Sequence, residues 1–587
     1  MKIYDLKYNA KAPEGIEKRK AYVIGGGMAG LAAAVYLVDD AHMPGKNITI
    51  FEAAKEVGGS MDGCGDASKG YLCRGERELE PYMENLWNIC SKVPSLRHEG
   101  RTVLDDVWDF NYTDPIHSEY RVIEKQGKLV NIHDLSMDEE LLQKMMDLLF
   151  MPESELEGMT IEEYFPERFF TSNLWYCFHN MLAFKRYHSA IECKRYFRRF
   201  VHFAPECDYL HGILHTDLNE YDAIIHPIEE WLKGKGVKFA MGTSVTEIVM
   251  DDANNTVIAL KTSTDTTDAI LDIAPHDMVF FTNGSMSQNS CFGDNTTVAK
   301  TNRDTKNRGV FTVWEKLAKR DAKFGKPEVF TSDIDKTKWM SFFPTIKDYP
   351  QFIERLEKVS GSKAGNGGII SICDSNWDLS IILHHKPFFP NQPDNVEVFW
   401  GYGLYGENVG NYIKKPMCEC TGNEIMTELL YHLGMLDMKD ELLAHSYIST
   451  CMMPYITSQF MPRKISDRPK VIPDGCTNLA FMGQYVETPE DAVFTVETSC
   501  RTAMHAVYGL TGLTKKELEV APTFYDIRNI AASFKRYNNI DTFTKESLPP
   551  INPFKIKKME QSIVDFLNNI GPHESLYPGK DAPKTTK

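Results

Sequence analysis

The chain has 587 residues, of which 42% are hydrophobic and 25% are charged, as is ordinary for a globular protein. That length is enough for about two to four domains with their own cores. The 65 basic and 82 acidic residues give a net charge of −17, which argues against nucleic acid as the main partner because phosphate binding needs excess positive charge. No window reaches the roughly 18 apolar residues of a membrane-spanning helix.

The 13 cysteines form no CxxC pair, and the lone CxC at Cys418 and Cys420 is too little for a metal site. The N-terminal residues are polar and contain no apolar signal segment. We therefore expect a cytoplasmic protein with reduced thiols and no bound metal.

The segment 21–38, AYVIGGGMAGLAAAVYLV, has the pattern of a buried strand, a glycine turn and a helix, and NITIFEAA at 47–54 predicts a second strand. A GxGxxG motif between a strand and a helix, with the acidic Glu52 in the next strand, indicates a dinucleotide site. The alternative is a glycine turn that binds no nucleotide. In the dinucleotide interpretation Glu52 binds the ribose hydroxyls, and the turn and helix start approach the phosphates through Gly25, Gly27, Met28, Ala29 and Gly30.

Three later segments return to the same predicted domain. KFAMGTSVTEIVMD at 238–251 alternates like a strand and places Val245 where such folds contact adenine. DMVFFTNGS at 277–285 is an apolar strand that ends on small residues, with Ser285 as a candidate contact. Residues 477–510 read as a strand, an acidic turn with Gly483, and a helix, which resembles the last cofactor-contacting unit of flavoproteins with two dinucleotide domains. The nucleotide domain is thus predicted to be discontinuous.

The predicted domain organisation alternates nucleotide-binding and substrate-binding pieces. Aromatic and Met residues in the two insertions indicate either an ordinary core or an apolar ligand tunnel. In the tail, the basic amphipathic pattern of 553–570 fits a helix on an anionic membrane or a helix packed on its own protein. The ranges are the nucleotide domain at 1–135, 206–289 and 476–520, a helical substrate insertion at 136–205, a substrate-binding domain at 290–475, and a helical C-terminal segment at 521–587 with possible membrane contact.

The doublet at Gly58 and Gly59, followed by Ser60, resembles the amine-oxidase-like flavoproteins, although Arg is frequent there after the doublet. Further motifs closely resemble the oleate hydratases, also called myosin-cross-reactive antigens, over nearly the whole chain. These motifs are GGGMAG, GGSMDG, RGERELE, FHNMLAFKRYHSAIECKRYFRRFVH at 178–202, WGYGLYGENVGNYIKKPM at 400–417 and MMPYITSQFMPR at 452–463.

This resemblance implies an α/β protein with a discontinuous, Rossmann-like, amine-oxidase-like FAD-binding domain, inserted substrate domains and a helical C-terminal segment. It also implies bound FAD, peripheral membrane association, a homodimer, and the addition of water to a cis double bond of free unsaturated fatty acids. Hydration involves no net redox change, so the flavin would act structurally and electrostatically.

The resemblance also assigns site residues. Glu78 of RGERE aligns with the water-activating carboxylate, Arg77 beside it faces the flavin, and Tyr196 of KRYFRRF aligns with the proton donor. An isolated alkene is a poor base, so it needs a positioned acid and a carboxylate that takes the proton of water. We expect Arg195, Arg198 or the flavin environment to strengthen the phenol as an acid by stabilising phenolate.

The chain departs from the family pattern at two places. Glu76 replaces a second glycine beside the flavin and, with the milder change at Leu79, puts FAD affinity and the loop geometry in question. The family's Thr-x-Asn-x-x-x-His anchor for the fatty-acid carboxylate aligns with residues that lack those donors, and an assisting Gln aligns with Glu220. His384, His385 and Lys386 are the candidates to replace the lost donors, and one of these three would pair with Glu220, which alone would repel a carboxylate. The alternative is that these are surface residues.

Three functions remain open at this point. The first is a fatty-acid hydratase that uses oleate or linoleate. The second is a flavin-dependent fatty-acid oxidoreductase or isomerase, or an amine oxidase. The third is a membrane-bound lipid-binding protein without catalysis.

Overall fold

In a computed structural model, the described residues are 10–75, 77–115, 119–135, 137–544 and 568. They form α-helices and strands in four sheets. The α-helices are α1 (Met28–Asp39), α2 (Glu84–Cys90), α3 (Val103–Thr113), α4 (Glu139–Phe150), α5 (Ile161–Tyr164), α6 (Asn173–Leu182), α7 (Ala190–Arg199), α8 (His226–Gly234), α9 (Val310–Ala318), α10 (Glu328–Thr331), α11 (Ile334–Thr337), α12 (Gln351–Ser360), α13 (Gly422–His432), α14 (Lys439–Ala444), α15 (Val496–Thr511) and α16 (Ile527–Tyr537).

A five-stranded parallel sheet forms the first layer, and its strands come from four distant parts of the chain. Buried residues occupy nearly every position of its central strands, as expected for a sheet covered on both faces. The spatial order is β18 (Leu479–Met482), β11 (Met278–Thr282), β1 (Ala21–Ile24), β2 (Ile48–Glu52) and β7 (Lys238–Met241). The predictions of a Rossmann-like α/β fold and of its discontinuity are confirmed.

Helices α1 and α15 pack together on one face of this sheet. Tyr36 of α1 meets Tyr508 of α15 edge to face with ring centroids 6.0 Å apart. The Tyr508 hydroxyl donates a hydrogen bond to the buried carboxylate of Asp40 at 2.6 Å. The predicted C-terminal strand and helix therefore join the N-terminal nucleotide unit in one core.

The segment 238–251 forms two strands rather than one. After β7, the chain turns at Gly242 (φ 63°) and enters β8 (Ser244–Met250), which starts an antiparallel sheet with β9 (Val257–Ser263) and β10 (Asp268–Asp272). Alternation continues through both strands, so the sequence pattern does not show the change of sheet. The first sheet thus ends at Met241, and Val245 belongs to the second.

The third sheet has eight strands. Its order is β12 (Cys291–Gly293), β17 (Ser446–Met453), β13 (Trp339–Lys347), β16 (Val396–Gly403), β15 (Leu379–Leu383), β14 (Ile369–Ile372), β5 (Arg121–Glu124) and β6 (Lys128–Leu129). Strands β5 and β6 come from the range predicted as nucleotide domain, but β5 pairs with β14 in this sheet and β6 pairs with β5 at its edge. A short hairpin of β3 (Cys64–Asp66) and β4 (Gly70–Leu72) contacts the same sheet through Tyr71, whose N–H donates to Thr345 Oγ1 at 2.8 Å.

Helices α4 to α7 pack over this sheet and enclose an aromatic core. Phe178 of α6 stacks on Phe197 of α7 at 4.2 Å, and Phe184 stacks on Phe460 at 4.3 Å. Helix α16 joins this helical layer, since the Ser533 hydroxyl donates to the carbonyl of Val201 at 3.2 Å. The amphipathic segment predicted at 553–570 lies outside the described residues apart from residue 568.

Candidate functional site

A cavity of about 480 Å³ lies at the carboxyl ends of the parallel strands, where open α/β sheets bind their ligands. The turn after β1, the end of β2, the turn after β11 and the turn after β18 all open into it. The predicted cofactor-contacting residues in its lining are Gly25, Gly27, Met28, Ala29, Glu52, Gly59, Ser60, Arg77, Val245, Ser285 and Gly483.

The glycine turn has the geometry that a bound phosphate requires. Gly25 has φ 103°, a left-handed backbone conformation that side chains disfavour. Gly30 does not line the cavity; a β-carbon there would overlap the carbonyl oxygen of Gly25, so this glycine allows α1 to pack against the turn. Gly27 caps α1 without a side-chain hydrogen bond. The first N–H groups of the helix therefore point toward the cavity and suit an anion.

Glu52 ends β2 with its carboxylate at the same cavity. Its Oε2 accepts from the N–H of Gly26 at 2.7 Å, and its Oε1 accepts from the N–H of Ala54 at 2.8 Å. These two bonds fix the orientation of the carboxylate and leave lone pairs for further donors. This is the position and chemistry that a ribose hydroxyl needs.

Two other glycine-containing segments also bring their backbone close to the cavity. Gly59 has φ 63°, and the N–H of the preceding Gly58 donates to the carbonyl of Gly26 at 2.9 Å, so the doublet lies directly beside the glycine turn. Gly483 has φ 95° and its N–H donates to Thr502 Oγ1 at 2.9 Å. A cradle of glycines with a helix N-terminus and an acidic ribose partner fits FAD, which Gly25, Gly27, Glu52 and Val245 would hold.

Arg77 lies where this cavity meets a second one. Its guanidinium donates to the carbonyl of Ser60 at 3.3 Å and lies 5.8 Å from the centroid of the Phe494 ring. Its backbone N–H donates to Glu220 Oε1 at 2.7 Å. Arg77 and Val496 line both cavities. A bound flavin and a ligand in the second cavity would therefore meet at Arg77.

The second cavity has a volume of about 180 Å³ and is lined mainly by apolar side chains of α6, α7 and the segment after α7. Glu78 and Tyr196, which lie far apart in the sequence, both line it. Leu79 pairs with Leu214 by two backbone hydrogen bonds, at 2.9 and 2.7 Å, which makes this segment extended. In an extended segment Glu78 and Glu80 point to the same side, and both do line the cavity.

Tyr196 is buried, and its hydroxyl oxygen accepts a hydrogen bond from the N–H of Phe494 at 3.0 Å. Burial raises the pKa of this phenol well above 10, and the bond from Phe494 opposes the rise only in part. The phenol therefore keeps its proton at neutral pH. Because the hydroxyl acts as acceptor toward Phe494, its own proton is not used in that bond.

The expected role of Arg195 and Arg198 is not supported by their contacts. Arg195 pairs with Glu153 at 2.7 Å and Glu487 at 2.6 Å, on another side of α7 from the Tyr196 hydroxyl. Arg198 donates to the Tyr525 hydroxyl at 2.7 Å. Neighbours in a helix point about 100° apart, so adjacency in sequence does not bring a guanidinium to the phenol.

The predicted head-group residues line neither cavity, although Glu220 contacts the backbone of Arg77 where the two cavities meet. His384 is buried and stacks on Phe388 with centroids 3.8 Å apart, and His385 meets Phe110 edge to face at 5.2 Å. Lys386 pairs with Glu397 at 2.6 Å. None of them, nor Glu220, appears among the described residues that line the apolar cavity. The head-group assignment stays a prediction without support from this geometry.

Sequence patterns missed several lining residues. Phe494, Thr495 and Val496 come from the acidic turn that was assigned to the cofactor alone, and Tyr537 comes from the end of α16. Arg74, which pairs with Asp62 at 2.8 Å, also lines the nucleotide cavity. Glu76 lies outside the described residues. Within the described ranges, no group of His, Cys, Asp or Glu side chains is arranged to hold a metal.

Comparison with known proteins gives consistent results. The model of the MCRA family matches residues 18–508. The oleate hydratase of Streptococcus pyogenes serotype M49 (strain NZ131) is 38% identical over 579 residues, covering 96% of this chain and 98% of the relative. The linoleate hydratase of Lactiplantibacillus plantarum is 28% identical over 551 residues, covering 86% and 96%. Among solved structures, cyclohexylamine oxidase from Brevibacterium oxydans IH-35A aligns with a TM-score of 0.47 and 12% identity, covering 84% of this chain and 99% of that one.

Proposed function

The chain belongs to the MCRA family, and from that premise we propose that it is an FAD-dependent hydratase that adds water to a cis double bond of free unsaturated fatty acids. The substrates we propose are oleate and linoleate, which give 10-hydroxy fatty acids. The observation that carries this proposal is the presence of Glu78 and Tyr196 in one apolar cavity that adjoins the nucleotide cavity at Arg77.

The two side chains divide the chemistry of hydration between them. Tyr196 donates its proton to one carbon of the double bond, and positive charge develops at the other carbon. A water molecule attacks that carbon and forms the new C–O bond while Glu78 takes its proton. The sum is one water added, with no electrons transferred. Proton return from Glu78 to Tyr196 then restores both groups.

The surroundings determine how well each group performs. The raised pKa of Tyr196 makes it a weak acid, so catalysis must depend strongly on holding the alkene and water in position. The apolar lining keeps bulk water away from the developing charge. Arg77 lines both cavities and would contact bound FAD, which would supply polar groups that shape the electrostatics of the site. General acid–base catalysis contributes about 10²–10⁴ in rate.

A labelled-water experiment tests this function. The FAD-loaded protein is incubated anaerobically with oleate or linoleate in ¹⁸O-labelled water, with and without a flavin reductant, and the products are read by mass spectrometry. We expect a hydroxy acid that carries solvent oxygen, with no stoichiometric oxidant and no peroxide. Flavin bleaching or oxygen demand without a hydroxy acid would favour the oxidoreductase or isomerase. Fatty-acid binding without any product would favour the lipid-binding protein.

We further propose a cytoplasmic protein that associates peripherally with membranes as a homodimer. Three exposed large hydrophobic residues support the membrane contact: Phe150, Tyr525 and Ile527. The ring of Phe150 contacts Phe524, the neighbour of Tyr525 in sequence, with centroids 5.5 Å apart. No helix in the described residues is long and apolar enough to cross a membrane. Flotation with anionic vesicles, with and without residues 553–587, tests the contact, and light scattering after size exclusion tests the dimer.

A further inference from the structure

The apolar cavity contains few groups able to bind a carboxylate. Among its described lining residues, only Arg77 and His211 have side chains that can carry positive charge. The predicted anchors His384, His385 and Lys386 are not in this lining. If the protein takes free fatty acids, as proposed above, these two residues are the candidates for a charged partner of the head group within this lining.

Arg77 is a poor candidate on geometric grounds. It neighbours Glu78, and its guanidinium is held at the junction by the carbonyl of Ser60. A carboxylate on Arg77 would bring the head of the fatty acid to Glu78. The cis double bond, however, lies in the middle of the chain, well away from the carboxyl carbon.

His211 lies at the part of the lining that reaches solvent. Its Nδ1 is 2.9 Å from Glu206 Oε2, and the two side chains are 35% and 45% exposed. Both line the cavity together with Cys207 and Leu210. A charged head group loses less hydration at a solvent-accessible end than deep in an apolar cavity. The hydrocarbon chain can then extend inward to Glu78 and Tyr196.

We propose that His211 binds the carboxylate of the fatty acid and that Glu206 occupies this position until the substrate replaces it. A hydrogen bond from an imidazole N–H to the ionised substrate carboxylate takes over from the one to Glu206. The backbone pairing of Leu214 with Leu79 connects this segment to the segment that carries Glu78. The span between the two sites then determines which double bond is hydrated.

The chain offers a matched control in His133. His133 Nδ1 lies 2.8 Å from Asp208 Oδ2, and the His133 ring stacks on Tyr209 at 5.2 Å. The His211 ring stacks on the same Tyr209 at 5.8 Å. Both histidines thus have a carboxylate partner and the same aromatic neighbour, but only His211 lines the cavity.

The test compares oleate with oleyl alcohol, which has the same chain and no carboxylate. For His211→Gln we expect the KM for oleate to rise about 10- to 100-fold, as for a lost charged hydrogen bond, with kcat within a few-fold of the original. The KM for oleyl alcohol should not change. His211→Lys should restore most of the preference for the acid, Glu206→Gln should lower the KM for oleate, and His133→Gln should leave both substrates as they are.

Several results would overturn the proposal. Equal effects of His211→Gln on acid and alcohol, or the same effect from His133→Gln, would remove the head-group role. Loss of the acid preference in Arg77→Gln but not in His211→Gln would place the head group at the flavin end. Direct binding of both lipids, measured by calorimetry on FAD-loaded protein, tests the anchor even if no hydration occurs. Failure of the anchor is therefore distinguishable from failure of the proposed function.

Discussion

The nucleotide cavity and the apolar cavity are built in different ways. The first is formed largely by backbone and small residues at turns that follow parallel strands. The second is formed by large side chains of α6, α7 and the segments around residues 210 and 494. A bound nucleotide is recognised by main-chain geometry, whereas a lipid chain is enclosed by packed side chains.

This difference determines what can be found by sequence pattern. Gly25, Gly27 and Glu52 have a fixed spacing because one strand–turn–helix–strand unit holds all three. Glu78 and Tyr196 meet only after the extended segment around Leu79 and helix α7 have packed around the same cavity. Spacing cannot show such a meeting, and family resemblance alone pointed to this pair.

The largest expected effect comes from removing the two acid–base groups. Glu78→Gln and Tyr196→Phe should each reduce hydration at least ~100-fold, because each removes a proton-transfer group and keeps the shape of the side chain. Flavin binding should persist, since neither side chain lines the nucleotide cavity. Turnover of oleate and the visible flavin spectrum, measured on the same samples, check the two parts.

A second tyrosine provides the control for this pair. The Tyr187 hydroxyl donates to the carbonyl of Lys336 at 3.0 Å, outside both cavities. Tyr187→Phe should keep nearly full activity. Turnover like the original protein in either Glu78→Gln or Tyr196→Phe would rule out the proposed role of that residue.

The next effect concerns the charge cluster behind Tyr196. Glu192, one turn earlier on α7, is fully buried, and its carboxylate lies 2.8 Å from Arg463 and 3.1 Å from Arg468. Burial alone would raise the pKa of Glu192, but Arg468, Arg463 and Arg195 outweigh it and lower it to about 2. Glu192→Gln leaves buried arginines without this counter-charge and should destabilise the fold by about 3–5 kcal/mol in denaturant unfolding.

The stability lost in Glu192→Gln should depend on pH, because the pKa of Glu192 is lowered in the folded protein. A carboxylate with a lowered pKa in the folded state stabilises the fold above its ordinary pKa of 4.5. That contribution is lost as pH falls toward about 2. The stability gap between the original protein and Glu192→Gln should therefore shrink between about pH 5 and pH 2. Glu162→Gln, at an exposed pair with Arg186 at 3.7 Å, should show no such gap.

Much of the fold could be predicted, but side-chain partners could not. The parallel sheet follows from the apolar runs and the glycine turn, yet the break at Gly242 was missed because alternation continues across it. The strands at 121–129 were assigned to the nucleotide domain, although Arg121 of β5 is paired with Ile370 of β14, far along the chain. His384 is buried by stacking on Phe388, and the half-buried His385 meets Phe110 edge to face, and no local pattern contains these ring contacts.

The third prediction tests the backbone-built cavity. In Gly30→Ala, the new methyl group would overlap the carbonyl oxygen of Gly25, so α1 must move away from the turn. We expect a stability loss of about 1–3 kcal/mol and a matching loss of FAD affinity. Thermal unfolding and flavin titration measure the two effects. Gly234→Ala, where the methyl group meets no atom within 4 Å, should leave both unchanged.

The smallest expected effect concerns the buried charge of Lys185. Lys185, just after α6, is fully buried; its Nζ donates to the carbonyl of Lys338 at 3.2 Å. Burial lowers the pKa of this ammonium to about 8, while the nearby Glu407 carboxylate acts in the opposite direction. Between about pH 8 and pH 10.5 the folded protein has released this proton and the unfolded chain still holds it, so stability rises with pH in that window.

Lys185→Met removes this titration and shortens the unbranched side chain by one atom. The contribution of Lys185 should grow by about 1 kcal/mol between pH 8 and pH 9 in the original protein and be absent from the variant. Urea unfolding of both proteins at the two pH values measures it, and the difference between them cancels the other groups that titrate there. An identical pH slope in the two proteins would show that Lys185 keeps its proton in the fold. The charge would then be compensated by its neighbours, of which Glu407 is the largest opposing influence.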